Sequence, residues 1–220
     1  MSIKNNLLEI KKQLPDNVTL VAVSKTKPVK DLMQAYDCGQ RIFGENKIQE
    51  MAEKQLKMPK DIQWHMIGNI QRNKVKYMAA FVDLIHGVDS LKLLNEINRQ
   101  AEKHNRIIDC LLQIKIAQED TKYGMQYEDA LALLDSENLK GLKNIAIVGL
   151  MGMASFTKDK IQIKNEFETL KINFNSLKEK NSNLKIISMG MSGDYALAID
   201  TGSTMIRVGS SIFGARNYSK

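Results

Sequence analysis

Short apolar runs alternate with longer amphipathic stretches along almost the whole chain. The runs are VTLVAVS (18–24), RIFG (41–44), IQWHMIG (62–68), VDLIHGV (82–88), IIDCLLQIKI (107–116), IAIVGLMGM (145–153), LKIISMG (184–190) and MIRVG (205–209). They are nearly continuous in apolar character, the pattern of strands buried on both faces of a parallel sheet. Between them lie helical patterns: VKDLMQAYDCG, NKIQEMAEKQL, QRNKVKYMAAF, SLKLLNEINRQAEKH, YEDALALLDS, DKIQIKNEFETLKINFNSLKEK and DYALAIDTG. A further amphipathic helix over residues 3–13 precedes the first strand. Eight strands alternating with helices predict an α/β fold, a single (β/α)8 barrel of the TIM type with an extra N-terminal helix. No GxGxxG follows the first strand, which speaks against an open dinucleotide-binding sheet. No proline- or serine-rich linker divides the chain, so residues 1–220 read as one domain.

Composition narrows the function classes. The two cysteines, Cys38 and Cys110, have no CxxC or Cys/His spacing, which fits a reducing cytoplasm and offers no structural zinc. No apolar run approaches a membrane span, and the N-terminus lacks the apolar centre of a signal peptide. A cytoplasmic protein without a membrane partner is expected. The net charge is +7, yet the 32 basic residues are mixed with 25 acidic ones and aromatics make up 6%. That pattern reads as charged helix exteriors, not as a nucleic-acid face.

In a barrel of this type the working residues sit where strands run into the loops that follow them. Those positions hold Lys25 in VAVSKTKPV, Asn46 in FGEN, His65 in WHMIG, His86 in IHGVD, Met191 and Ser192 in MGMSGD, and Arg207 in IRVGSS. The set contains no carboxylate pair and no metal-ligand cluster. MGMSGDYA and VGSSIFGA each run from a strand into a helical turn, and small residues there let backbone N–H groups approach an anion. Ser192 and Ser210 also suit plain N-caps. Two such turns after strands seven and eight, where barrels frequently hold a phosphate, favour the anion reading. A lysine across the mouth from a phosphate points to a ligand carrying both an aldehyde and a phosphate. Its amine would need a lowered pKa, from burial or from cationic neighbours such as Lys27 and Arg207.

The motifs VAVSKTKP, GQRIFGENKIQE, IQWHMIGNIQRNK, IHGVDS, GLMGMA, SMGMSGDYALAIDTGSTMIRVGSSIFGAR and the terminal NYSK resemble the YggS/PROSC family. These are pyridoxal 5′-phosphate (PLP) homeostasis proteins related to the barrel domain of alanine racemase. The resemblance runs in order along nearly the whole chain. It implies PLP as cofactor, with Lys25 as the Schiff-base lysine and Lys27 as an accessory residue of the turn. It implies that Arg207 faces the pyridine nitrogen and that Met191, Ser192, Gly209 and Ser210 bind the phosphate. Asn46 and His65 match positions lining the cofactor, His65 also suiting a core histidine packed beneath the ring, and His86 suits a structural strand end. QRNK (71–74) departs from the commoner family wording QSNK without touching a cofactor position.

Three functional readings follow: a PLP carrier or regulator, a small PLP enzyme such as an amino-acid racemase, or a basic barrel for sugar phosphates or nucleic acid. The family favours the first, with PLP-dependent apoenzymes as recipients and a monomer as the expected state. Arg207 favours it too, because a donor-only cation leaves the pyridine nitrogen unprotonated and the ring a weak electron sink. Racemisation further requires a base on each face of the substrate, and the chain ends soon after strand eight without a second domain to supply one. Of its six tyrosines, only Tyr123 and Tyr195 are placed to approach the cofactor.

Overall fold

The computed structural model describes residues 2–119 and 123–215; Arg216 and the terminal NYSK, with Tyr218, lie outside the described residues. Eight parallel strands close a barrel in chain order: β1 (Thr19–Val23), β2 (Ile42–Glu45), β3 (Gln63–Met66), β4 (Val82–Val88), β5 (Ile108–Gln113), β6 (Ile145–Met151), β7 (Ile186–Ser188) and β8 (Met205–Val208). The β1–β8 seam pairs Leu20 with Ile206 and Val21 with Arg207, closing the sheet on itself.

The continuous apolar character of the strands has a simple cause, since both faces are covered. On β1, Leu20 and Ala22 pack outward in the main core with the helices, whereas Val21 packs inward with Leu84, Leu111, Met151 and Met205. Side chains two apart share a face. The helices are α1 (Ile3–Gln13), α2 (Val29–Asp37), α3 (Ile48–Lys57), α4 (Leu91–Glu102), α5 (Tyr127–Asp135), α6 (Glu137–Lys140), α7 (Lys160–Lys180), α8 (Tyr195–Asp200) and α9 (Ser210–Phe213). The extra helix α1 meets α9, Asn6 Nδ2 donating to the Ile212 carbonyl at 3.1 Å.

One local expectation is corrected and one element is added. The stretch QRNKVKYMAAF makes no α-helix but a 3₁₀ helix, Arg72–Tyr77, within the short β3–β4 connection. Its bonds are i to i−3, Lys74 N to Gln71 O and Met78 N to Val75 O, which tucks Val75, Met78 and Ala79 into the core. The short α6 was not anticipated; Ser136 starts it, its hydroxyl accepting the Leu139 amide.

Candidate cofactor-binding site

The period of the strands sets the site. Along β1, Val21 belongs to the inner core while Val23 and then Lys25 line a cavity at the barrel mouth. Along β8 the same count runs from Met205 in the inner core to Arg207 and Gly209 at the cavity. Because Val21 and Arg207 are register partners, the lysine and the arginine rise on adjacent strands. Asn46, just past β2, joins them. Gly68 makes room for it: a Cβ there would lie 2.4 Å from the Asn46 carbonyl oxygen.

The cavity has a volume of about 400 Å³, within the usual range for small-molecule sites. Lys25, Asn46, Met191, Ser192, Arg207, Gly209 and Ser210 all line it. His65 is not among the lining residues.

Arg207 is 4% exposed and held by three bonds. NH1 donates to the Ser188 carbonyl at 2.8 Å and to Ser188 Oγ at 2.6 Å, and NH2 donates to the Gly152 carbonyl at 3.1 Å. Burial lowers its pKa to about 10, with Asp194 opposing, so the guanidinium stays charged near neutral pH. Behind it runs a buried polar chain. Ser188 Oγ lies 3.0 Å from His86 Nδ1, and His86 Nε2 lies 3.1 Å from His65 Nδ1. Burial lowers the His65 pKa to about 3 and that of His86 well below its ordinary value, so both rings are neutral. Arginine only donates, so the direction that gives the Ser188 proton an acceptor runs from Ser188 to His86 Nδ1 and from His86 Nε2–H to His65. His65 therefore reaches the cavity through Arg207, with His86 and Ser188 between them.

The two glycine–serine turns are joined directly. Ser192 Oγ accepts the amides of Gly209 at 3.2 Å and Ser211 at 3.4 Å. Neither serine caps its own helix: the N-caps are Asp194 for α8 and Gly209 for α9, both without a side-chain cap bond. Asp194 Oδ1 instead accepts the Met191 amide at 2.5 Å. Burial raises the Asp194 pKa, the Met191 amide and Arg207 pulling against it. The amides of Ser192, Gly193 and Ser210, all cavity-lining residues, donate to no acceptor among the described residues. Lys27 also lines the cavity, but its Nζ donates to the carbonyls of Phe213 at 2.9 Å and Ala215 at 3.1 Å, clasping the end of α9.

The loop after β6 went unread in the sequence as a source of site residues. It brings Met153, Ser155 and Phe156 to the cavity wall, Phe156 being 94% exposed. Glu166 of α7 pins this loop, accepting from the Ser155 amide and hydroxyl, each at 2.6 Å. The available signal was the rule that every strand's following loop faces the same end of the barrel.

The alanine racemase N-terminal domain family matches residues 1–217. Across 100% of both chains, the sequence is 38% identical to the pyridoxal phosphate homeostasis protein of Pasteurella multocida. It is 37% identical to the Homo sapiens protein of the same name, covering 91% of this chain and 78% of that one. The chain belongs to this family. PipY of Synechococcus elongatus, in its structure with PLP bound, matches with a TM-score of 0.89 at 34% identity, covering 97% of this chain and 100% of PipY. An alanine racemase of Clostridium difficile shares the fold, with a TM-score of 0.78 at 15% identity over 99% of this chain and 57% of the racemase. The family relation read from VAVSKTKP and MGMSGDYA thus holds, and so does the barrel. Among the described residues no helix is long and apolar enough to cross a membrane.

Proposed function

We propose that the chain binds PLP as a Schiff base on Lys25 and serves PLP homeostasis in the cytoplasm as a monomeric carrier or regulator that supplies PLP-dependent apoenzymes. One observation carries this reading: a single cavity brings together Lys25, the charged Arg207 and three backbone N–H groups that have no acceptor among the described residues. PLP has a matching part for each, an aldehyde for the amine, a pyridine nitrogen for the guanidinium and a phosphate for the amides. When bound, PLP supplies a reversible bond between its aldehyde and an amine, and a ring that withdraws electrons when protonated.

The protein's own residues divide the remaining tasks. Met191, Ser192, Gly209 and Ser210 form the phosphate cradle, and the Ser192 hydroxyl fixes the two turns against each other. Asn46 offers a polar contact at the cavity wall, while His65 steadies Arg207 through His86 and Ser188. Arg207 keeps the pyridine nitrogen unprotonated, which weakens the ring as an electron sink. Tyr123 is 60% exposed and Tyr195 packs against the core, and neither lines the cavity. Both features support holding PLP over turning over amino acids. The test is incubation of the PLP-loaded protein with common L-amino acids in heavy water. Little or no α-proton exchange or D-isomer is expected, and Lys25-dependent exchange at ordinary enzyme rates would overturn the carrier reading.

A further inference from the structure

Where β2 runs into α3, charged side chains are buried without touching the cavity. Glu45, the last residue of β2, is fully buried. Its Oε1 accepts from Ser24 Oγ at 2.6 Å and from Lys54 Nζ at 2.7 Å, while Oε2 is buried with no partner among the described residues. Burial holds the Glu45 carboxyl above the usual carboxylate range, with Lys54 pulling it back. Lys54, on α3, also donates to the Ser24 carbonyl at 2.8 Å and to Glu50 Oε1 at 2.7 Å. Glu50 Oε1 in turn accepts the Thr26 amide at 2.6 Å.

Both chain neighbours of Lys25 are therefore tied to one connected cluster, Ser24 by its hydroxyl to Glu45 and its carbonyl to Lys54, and Thr26 by its amide to Glu50. Thr26 has a φ of +64°, the left-handed region that a β-branched residue occupies only where its surroundings hold it. The Lys27 amide closes the turn onto the Ser24 carbonyl at 3.0 Å. Apolar side chains in place of a buried ion pair often leave stability unchanged or raise it, and an orphaned buried oxygen costs more again. Packing is thus a poor reason for this cluster. What it does fix is the path of residues 24–26.

We propose that Glu45, Lys54 and Glu50 are positioning residues for Lys25, holding the backbone on both sides of it so that its amine enters the cavity at a set place. The inference rests on the reading of Lys25 as the PLP attachment point. None of the three lines the cavity, so they act through Lys25 and not on the ligand directly.

The test separates attachment from binding. Pyridoxine 5′-phosphate, which has no aldehyde, reports the cavity alone, and borohydride trapping of PLP followed by peptide mapping reports attachment at Lys25. Glu50→Ala removes the Thr26 acceptor at a partly exposed side chain and so spares the fold. It is expected to slow PLP trapping on Lys25 about tenfold while leaving pyridoxine 5′-phosphate affinity within about twofold. Glu50→Gln, which keeps an acceptor oxygen, should restore the trapping rate. The paired variant Glu45→Gln/Lys54→Met, which removes both buried charges together, should show the same split. Wild-type trapping rates in both Ala and paired variants would overturn the inference, as would equal losses with the two ligands, which mark a merely structural cluster. Trapping at another lysine in the wild-type protein would instead overturn the underlying reading of Lys25.

Discussion

Replacing Ser192 by alanine probes the proposed phosphate cradle. The Ser192 hydroxyl accepts two backbone amides across the gap between the turns, at 3.2 and 3.4 Å. These are long, neutral bonds in a half-buried place where water can replace the lost oxygen, so folding stability should fall by only about 1 kcal/mol. Ligand binding should suffer more, because the same hydroxyl borders the cavity and the turns it ties together must present their amides to a dianion. Loss of one hydrogen bond to a charged acceptor costs about 1.5–3 kcal/mol, so PLP should bind roughly tenfold to a hundredfold more weakly. Pyridoxal, which lacks the phosphate, should change by no more than about twofold for want of that charged interaction. Spectrophotometric titration of wild type and variant with both ligands gives the comparison, and urea unfolding checks the fold. Equal weakening of PLP and pyridoxal, or no weakening of PLP, would refute the assignment of the cradle.

Arg207→Met leaves the Ser188 hydroxyl oxygen and the Gly152 carbonyl without the donor that Arg207 supplies and takes one of two donors from the Ser188 carbonyl, which keeps the Gly152 amide, so the urea midpoint should fall by an amount equivalent to about 3 kcal/mol; a near-neutral change would mean that these bonds are readily replaced. His65 makes stability depend on acid. Its folded pKa of about 3 lies below the ordinary 6.5, so between these values the unfolded chain takes up a proton that the folded one does not. Stability should therefore be full above the ordinary value and fall by up to about 1.4 kcal/mol per pH unit as pH drops towards the folded value. His65→Asn should show a shallower decline in urea midpoints over that window, and an unchanged slope would contradict the burial of a neutral ring. Lys27→Gln removes the clasp on Phe213 and Ala215 and should leave PLP trapping at Lys25, and loss of the adduct would give Lys27 a larger part than the geometry does.

The strands were readable because a parallel barrel buries both of their faces, which leaves runs such as IAIVGLMGM with almost no polar interruption. Lys25 and Arg207 were readable because each stands where a strand runs into its following loop and within a family motif, and in the structure each lies an even count beyond an inner-core residue, Val21 or Met205. The 3₁₀ helix at Arg72–Tyr77 was harder, because Val75, Met78 and Ala79 carry the three-and-four spacing of an α-helix while the short connection sets a tighter path. The chain from Arg207 through Ser188 and His86 to His65 depends on four different strands meeting inside the barrel, and nothing local in the sequence states that meeting. Nothing local in FGENKIQEMAEK sets Glu45 and Lys54 apart from the charge around them; only the packing of α3 against β2 shows that they are buried. The serines of the two turns were found, but nothing in the sequence states that Ser192 reaches across to the other turn instead of capping its own helix.

The central claim is that Lys25 holds PLP, and borohydride reduction of the PLP-loaded protein followed by peptide mass mapping tests it most directly. A single reduced pyridoxyl adduct on Lys25, absent together with the yellow colour in Lys25→Ala, is the expected result. An adduct on Lys27 or Lys74, or a yellow, reducible species that survives in Lys25→Ala, would contradict the account.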